Sequence, residues 1–172
     1  VSAASEHPDL SGLRIREAAR AVVLDPDHRV LLVRFEFPDG TRWALPGGGR
    51  EPGESSADAV RRELVEEVGL HDADVGPHVW TRVHVIPFID GSWDGQREEI
   101  HLVHAPRFDP APALTAEQLE AELVFGMGWW TLDEIRTSDA VFAPRALADL
   151  LGDLLDGLAA GRVPNAPVDI GI

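Results

Sequence analysis

Gly48–Leu70, GGREPGESSADAVRRELVEEVGL, is the stretch from which the rest of the chain can be placed. With Gly47 just ahead, it joins a glycine-rich turn, a short loop and a charged helix carrying Glu63, Glu66 and Glu67. Ser55 or Ser56 supplies an N-cap, Ala57 to Val68 continue the helix, and Gly69 stops it. Steps of roughly 100° per residue put Ala57, Val60, Leu64 and Val68 on one face and the three glutamates on another. Carboxylates this close repel one another by roughly a few tenths of a kcal/mol per pair, so something must compensate. Solvent and Arg62, one turn before Glu66, give the plain explanation. The functional one is a hard cation, because Mg²⁺ and Mn²⁺ take oxygen ligands from carboxylates, water and phosphate. A glycine turn adds backbone groups that can approach the metal or a phosphate.

The surroundings favour a single soluble domain. At 172 residues with 44% apolar content the chain can bury a core, and a net charge of -15 argues against a nucleic-acid surface. With no cysteine, disulfides, thiol nucleophiles and Cys-based zinc sites are excluded. All 15 basic residues are arginines, so cationic phosphate contacts fall to guanidinium forks or histidine. No leader pattern or membrane-length apolar run is seen, and a cytoplasmic location is expected.

Upstream, Ala18–Leu24 and Val30–Phe35 are apolar β-leaning runs joined by the turn Asp25-Pro26-Asp27-His28. Trp43-Ala44-Leu45 is a short strand stopped by Pro46. Downstream, Val79–Phe88 and Ile100–Ala105 read as strands around the loop 90–95, and residues 115–123 as a helical turn. Trp129-Trp130 ends a further strand, and Leu132–Ile135 begins a helix. Pro144 opens the last helix, whose leucines 147, 150, 151, 154, 155 and 158 form a core stripe, with a homodimer seam as the alternative. Residues 1–13 read as an N-terminal tail, 14–161 as one domain and 162–172 as a C-terminal tail.

The central stretch matches G-x5-E-x7-R-E-U-x-E-E-x-G-U, U being aliphatic, at every fixed position: Gly48, Glu54, Arg62-Glu63, Leu64, Glu66-Glu67, Gly69 and Leu70. It thereby resembles the Nudix box. The WALPGGG lead-in and the WWTLDEI segment before a Pro-initiated helix resemble the family too. The resemblance implies an α/β/α sandwich with a mixed central sheet and the box as loop–helix–loop. It implies hydrolysis of a nucleoside diphosphate linked to another moiety, such as ADP-ribose, a nucleotide sugar, or a normal or oxidised (d)NTP, with Mg²⁺ or Mn²⁺. The metal ligands it implies are Glu63, Glu66, Glu67 and the carbonyl of Gly47. Arg62 would hold the glutamates and Glu54 the loop. The general base is left among Glu66, Glu67 and a glutamate outside the box. The outside candidate is Glu98, since strand alternation sends Glu99 to the other face. A nucleotide-sensing domain without turnover is the alternative, and the intact box favours the enzyme.

Substrate contacts are less marked. Arg34 and Arg50 are the phosphate-binding candidates, with Arg16, Arg42 and Arg82 behind them, and Trp93 in a polar loop is the candidate for stacking on a base. His84 and His101 are expected to pair across strands. Glu117, Glu120 and Glu122 are read as a solvated helix face. Subfamily signs are thin. Pro87 falls near, but not at, the proline common in ADP-ribose pyrophosphatases, and the tyrosine frequent in diadenosine polyphosphate hydrolases is absent. The missing cysteine sets aside an isopentenyl diphosphate isomerase.

Overall fold

A run without polar alternation is the mark of a strand buried on both faces. Ala18, Ala19, Ala21, Val22, Val23 and Leu24 form such a run, all at 1% exposure or less, in strand β1 (Ile15–Leu24). The computed structural model describes residues 9–171, and β1 lies at its centre. The remaining strands are β2 (Val30–Phe37), β3 (Gly40–Ala44), β4 (Gly47–Gly49), β5 (Val75–His84), β6 (Gly95–His104), β7 (Val124–Trp130), β8 (Phe142–Ala143) and β9 (Val168–Asp169). The sheet runs β8-β3-β2-β1-β6-β5-β9, with β4 added to β1 and β7 to β2. β1 and β6 are parallel and their neighbours mostly antiparallel, so the sheet is mixed.

Alternation along the central strands feeds two cores. Val22, Leu24, Val30 and Leu32 pack with helices α3 (Leu132–Thr137) and α4 (Leu147–Ala159) through Ile135, Leu147, Leu151 and Leu154. Ala21, Val23, Leu31 and Val33 pack instead with Ala59, Val60, Leu64 and Val68 of the central helix. Helices therefore cover both faces, giving the α/β/α sandwich. The α4 leucines are core: those at 150, 155 and 158 pack against the same cluster. Among the described residues no helix is long and apolar enough to cross a membrane.

Several local expectations need correction. β5 starts and stops four residues earlier than the apolar pattern suggested, and its pairing with β6 is interrupted at His78, where the ladder shifts register. α4 starts at Leu147 and not at Pro144, whose carbonyl instead accepts a turn hydrogen bond from the Leu147 amide. The expected C-terminal tail contributes β9, which pairs with Trp80 and Thr81, while Ile170 packs on the core. Of the expected N-terminal tail, residues 1–8 lie outside the described residues. His84 and His101 do not meet. His101 stacks on His78 at 5.4 Å because the shifted register places those two opposite each other.

The central helix also departs from a uniform spiral. It is α-helical as α1 (Ser56–Glu63), then widens into a π turn over Leu64–Val68. Ser55 caps it by accepting from the Asp58 amide, and Gly69 ends it with φ 75°. The widened end would leave carbonyls without intrahelical donors. Residues 111–114 supply them: the amides of Ala111 and Leu114 donate to Val68 and Glu66, and that of Ala113 joins the Gly69 amide on Val65. A short six-residue helix, α2 (Ala116–Ala121), follows directly, started by a Thr115–Gln118 capping box.

Candidate active site

Three glycines can lie flat where side chains cannot. Gly47–Gly49 pair antiparallel with Ala18–Arg20 of β1 and pass beside α1, a strand where the sequence suggested a plain turn. At Gly47 the φ of 136° and the approach of Arg20 Cα, 2.6 Å from where a Cβ would sit, admit only glycine. At Gly48 a Cβ would stand 2.5 Å from Glu63 Oε1 and 2.9 Å from Oε2. At Gly49 it would collide with the guanidinium of Arg16. The strand is thus a thin partition with a carboxylate against one residue and a cation against the next.

Arg62 is the hub on the helix side. Its Nε and Nη2 donate to the two oxygens of Glu54, each at 2.9 Å, and Nη2 also donates to the Gly49 carbonyl at 2.9 Å. Its Nη1 donates to Glu63 Oε1 at 2.9 Å and to Glu66 Oε2 at 3.3 Å. One planar fork therefore joins loop, strand and helix, which a point-like ammonium could not do. These bonds hold the Glu54 carboxyl below its ordinary range and raise the Arg62 guanidinium above its own.

The glutamates sit at different depths. Glu67 is 2% exposed, and its Oε2 accepts the Gly47 amide at 2.9 Å. Burial, reinforced by Glu63 and Glu122, pushes its carboxyl up to about 8. Glu63 is buried and shifted the same way by burial, with Arg62 opposing. Glu66 is a third open and lines a cavity of about 910 Å³ together with Glu63, Arg62, Arg50, Arg16, Trp93 and Glu122.

Arg50 does line that cavity, though its Nε and Nη2 are engaged by the Glu54 carbonyl at 3.2 and 2.8 Å. Trp93 stands at the rim, 37% exposed. Arg34 is not brought to the site: on β2 it donates to the Phe125 carbonyl at 2.9 Å and pairs with Glu36 at 3.3 Å. Glu98 is 1% exposed, between Arg20 at 2.5 Å and Arg82 at 3.3 Å, and also accepts Gln96 Nε2 at 2.8 Å. Despite burial, those two guanidiniums hold its carboxyl down to about 2, which makes it a poor proton acceptor. Arg20 Nη1 in turn donates to the carbonyls of Leu45 and Gly47, so the Gly47 carbonyl has a cation on it already.

Four residues of this neighbourhood were overlooked or set aside in the sequence: Arg16, Arg20, Gln96 and Glu122. Arg20 carried a signal, since a charge inside the run AARAVVL must find a buried partner. Glu122 was set aside as helix surface, but α2 ends just before it and delivers it to the cavity wall.

The donor set suits a hard dication. Among the described residues no three carboxylates or imidazoles are already gathered into a metal cage. The residues nevertheless fit: Glu63, buried, and Glu66, a third open, line one cavity, and Glu67, buried beside them on the same helix, is held by a backbone amide, with no salt bridge of its own among the described residues. A cation there would offset the burial, and the lesser carboxylate crowding, that raise Glu63 and Glu67.

A family model described as NUDIX domain matches residues 14–150. The nucleoside triphosphatase NudI of Salmonella paratyphi B is 45% identical over 73 residues, which cover 41% of this chain and 48% of the relative. The chain thus spans about half the length of the curated relatives it matches. The crystal structure of a MutT Nudix hydrolase from Burkholderia pseudomallei superposes with a TM-score of 0.57 at 26% identity, covering 80% of this chain and 98% of the other. An ADP-ribose pyrophosphatase from Streptococcus suis gives a TM-score of 0.57 at 20% identity over 91% of this chain and 98% of its own, a likeness of fold.

Proposed function

The chain belongs to the Nudix hydrolase family, and from that premise we propose that it hydrolyses the pyrophosphate linkage of a nucleoside diphosphate joined to another moiety. Glu63, Glu66 and Glu67 would hold the divalent ion, Mg²⁺ or Mn²⁺, with the Gly47 carbonyl adding the lone pair that Arg20 leaves free. When bound, it supplies positive charge to the phosphates and acidifies water. The protein's own share is positioning. Arg62 locks Glu63 and Glu66 against the loop through Glu54, so the carboxylates keep one spacing while substrate enters. Glu66, the most open of the three, takes the proton from the water that attacks phosphorus in line. Glu98 acts through Arg20, whose bonds to the Leu45 and Gly47 carbonyls fix the bend leading into β4. Arg50 and Trp93 contact the substrate from the cavity wall, phosphate for the first and base for the second.

The observation that carries this reading is the single fork of Arg62 binding Glu54, Gly49, Glu63 and Glu66 beside a cavity large enough for a nucleotide. The similarity to NudI suggests nucleoside triphosphates as the first substrates to try. The test is a hydrolysis screen with Mg²⁺ over (d)NTPs, oxidised dNTPs, ADP-ribose, nucleotide sugars and dinucleoside polyphosphates, run on wild type and Glu67→Gln. Metal-dependent turnover that collapses in the variant supports the assignment; equal turnover in both removes Glu67 from the site.

A further inference from the structure

We infer that Arg16 is the main phosphate-recognising residue of the cavity, ahead of the partly engaged Arg50, a guanidinium fork held ready by the buried relay Gln96–Glu98. The inference rests on the proposed hydrolase reading for the kind of substrate, and on the following geometry for the residue. Three arginines line the cavity, and the other two are engaged by protein oxygens, Arg62 fully and Arg50 in part. Arg62 is saturated by Glu54, Glu63, Glu66 and Gly49, and Arg50 is turned onto the Glu54 carbonyl. Arg16 is different. Its one hydrogen bond among the described residues is a long one, Nη1 to Gln96 Oε1 at 3.3 Å, and no carboxylate pairs with it within 4.0 Å. A guanidinium carries five donors, so most of its fork is free.

The fork is nonetheless fixed in place. Its plane lies against Gly49, where any Cβ would strike it, and its Cζ sits 5.5 Å from the centroid of the Phe88 ring. Gln96, 3% exposed, is anchored by its own amide on Glu98, so its carbonyl oxygen can only face Arg16. Parallel pairing of β1 and β6 sets Arg16 opposite Gln96 and Ala18 opposite Glu98, which is why the relay closes. Burial and the neighbouring Arg20 outweigh Glu63 and Glu122 and lower the pKa of this guanidinium, so an anion arriving there meets a cation with no direct carboxylate partner among the described residues. A phosphate offers two oxygens at the spacing of the fork. Because Gly48 abuts Glu63 and Gly49 abuts Arg16, Arg16 would grip a phosphate next to one bound through the cation that Glu63 would hold. That geometry selects substrates with at least two linked phosphates over monophosphates.

The probes are inorganic pyrophosphate and inorganic phosphate with Mg²⁺ by titration calorimetry, and Mn²⁺ alone by electron paramagnetic resonance. Arg16→Met keeps a long unbranched side chain and loses the fork, and Arg16→Lys keeps only the charge. Pyrophosphate affinity should fall about 10- to 100-fold in Arg16→Met and partly recover in Arg16→Lys, with Mn²⁺ affinity unchanged. Gln96→Ala, a positioning change, should give a smaller loss and raise KM while leaving kcat in place. Wild-type affinity for pyrophosphate in Arg16→Met, no preference of the wild type for pyrophosphate over phosphate, or an equal loss of Mn²⁺ affinity overturns the inference. If the substrate screen finds no turnover while Arg16→Met still weakens pyrophosphate, the hydrolase reading fails and this one stands.

Discussion

Replacing Glu98 by Gln keeps the shape of the side chain and removes its charge from between Arg20 and Arg82. Two buried guanidiniums then face each other with the anion gone, and the size of the effect follows from two routes. Breaking a buried ion pair by removing one partner costs about 3–5 kcal/mol. The depression of the Glu98 carboxyl from 4.5 to about 2 corresponds to a coupling on the order of 3 kcal/mol. Both place the loss near 3 kcal/mol at pH 7, or a drop in Tm of about 6–12 °C for a chain of this length. The pH dependence supplies a signature. A carboxyl whose folded pKa lies below its unfolded one stabilises the fold above the unfolded value, and that support fades as pH falls from about 4.5 to about 2. Urea unfolding from pH 7 down to pH 2.5 should show the wild type losing this contribution and Glu98→Gln losing much less. Equal midpoints at pH 7, or parallel pH curves, would refute the reasoning that the glutamate is an ionised strut under β4.

Gly48→Ala puts a methyl 2.5 Å from Glu63 Oε1 and should lower kcat/KM at least about 100-fold with unchanged circular dichroism, since about 1 Å of misplacement has that effect. Arg62→Lys should recover little of the activity lost in Arg62→Ala, because the two-point bond to Glu54 needs the planar fork; recovery to near wild type in steady-state assays would contradict this. Glu67 gives an opposite pH signature in EDTA. Its folded pKa of about 8 lies above the unfolded 4.5, so the folded state holds the extra proton and stability falls as pH rises across that window. Thermal unfolding should therefore show Mg²⁺ stabilising more at pH 8 than at pH 5, with the difference gone in Glu67→Gln.

What could be read from the chain was whatever depends on neighbours in sequence. The Ser55 cap, the Gly69 stop and the α4 leucines follow from helical period alone, and the folded protein has all three. The carboxylates of the central helix are near neighbours on one turn, so their crowding was visible as well. The π turn was not, because its freed carbonyls are satisfied by residues 111–114, 43 to 48 positions further on. Arg34 and Arg16 look alike in sequence, each an arginine in an apolar strand. Only pairing with distant segments decides that the first meets the Phe125 carbonyl and the second the cavity. His78 displaced His84 as the partner of His101 for the same reason, a ladder shift that no local pattern encodes.

The parallel alignment of β1 with β6 also bears on the order in which the protein becomes competent. Arg16 meets Gln96 and Glu17 meets Arg97 across a sequence separation of 80, while β4 must slot onto the other edge of the same strand. Contacts of such long separation close late, after local helices and hairpins have formed. The candidate site is therefore among the last parts of the molecule to exist. A refolding population should regain helical signal before it regains pyrophosphate binding, and a nascent chain holds no working pocket until β6 has been synthesised.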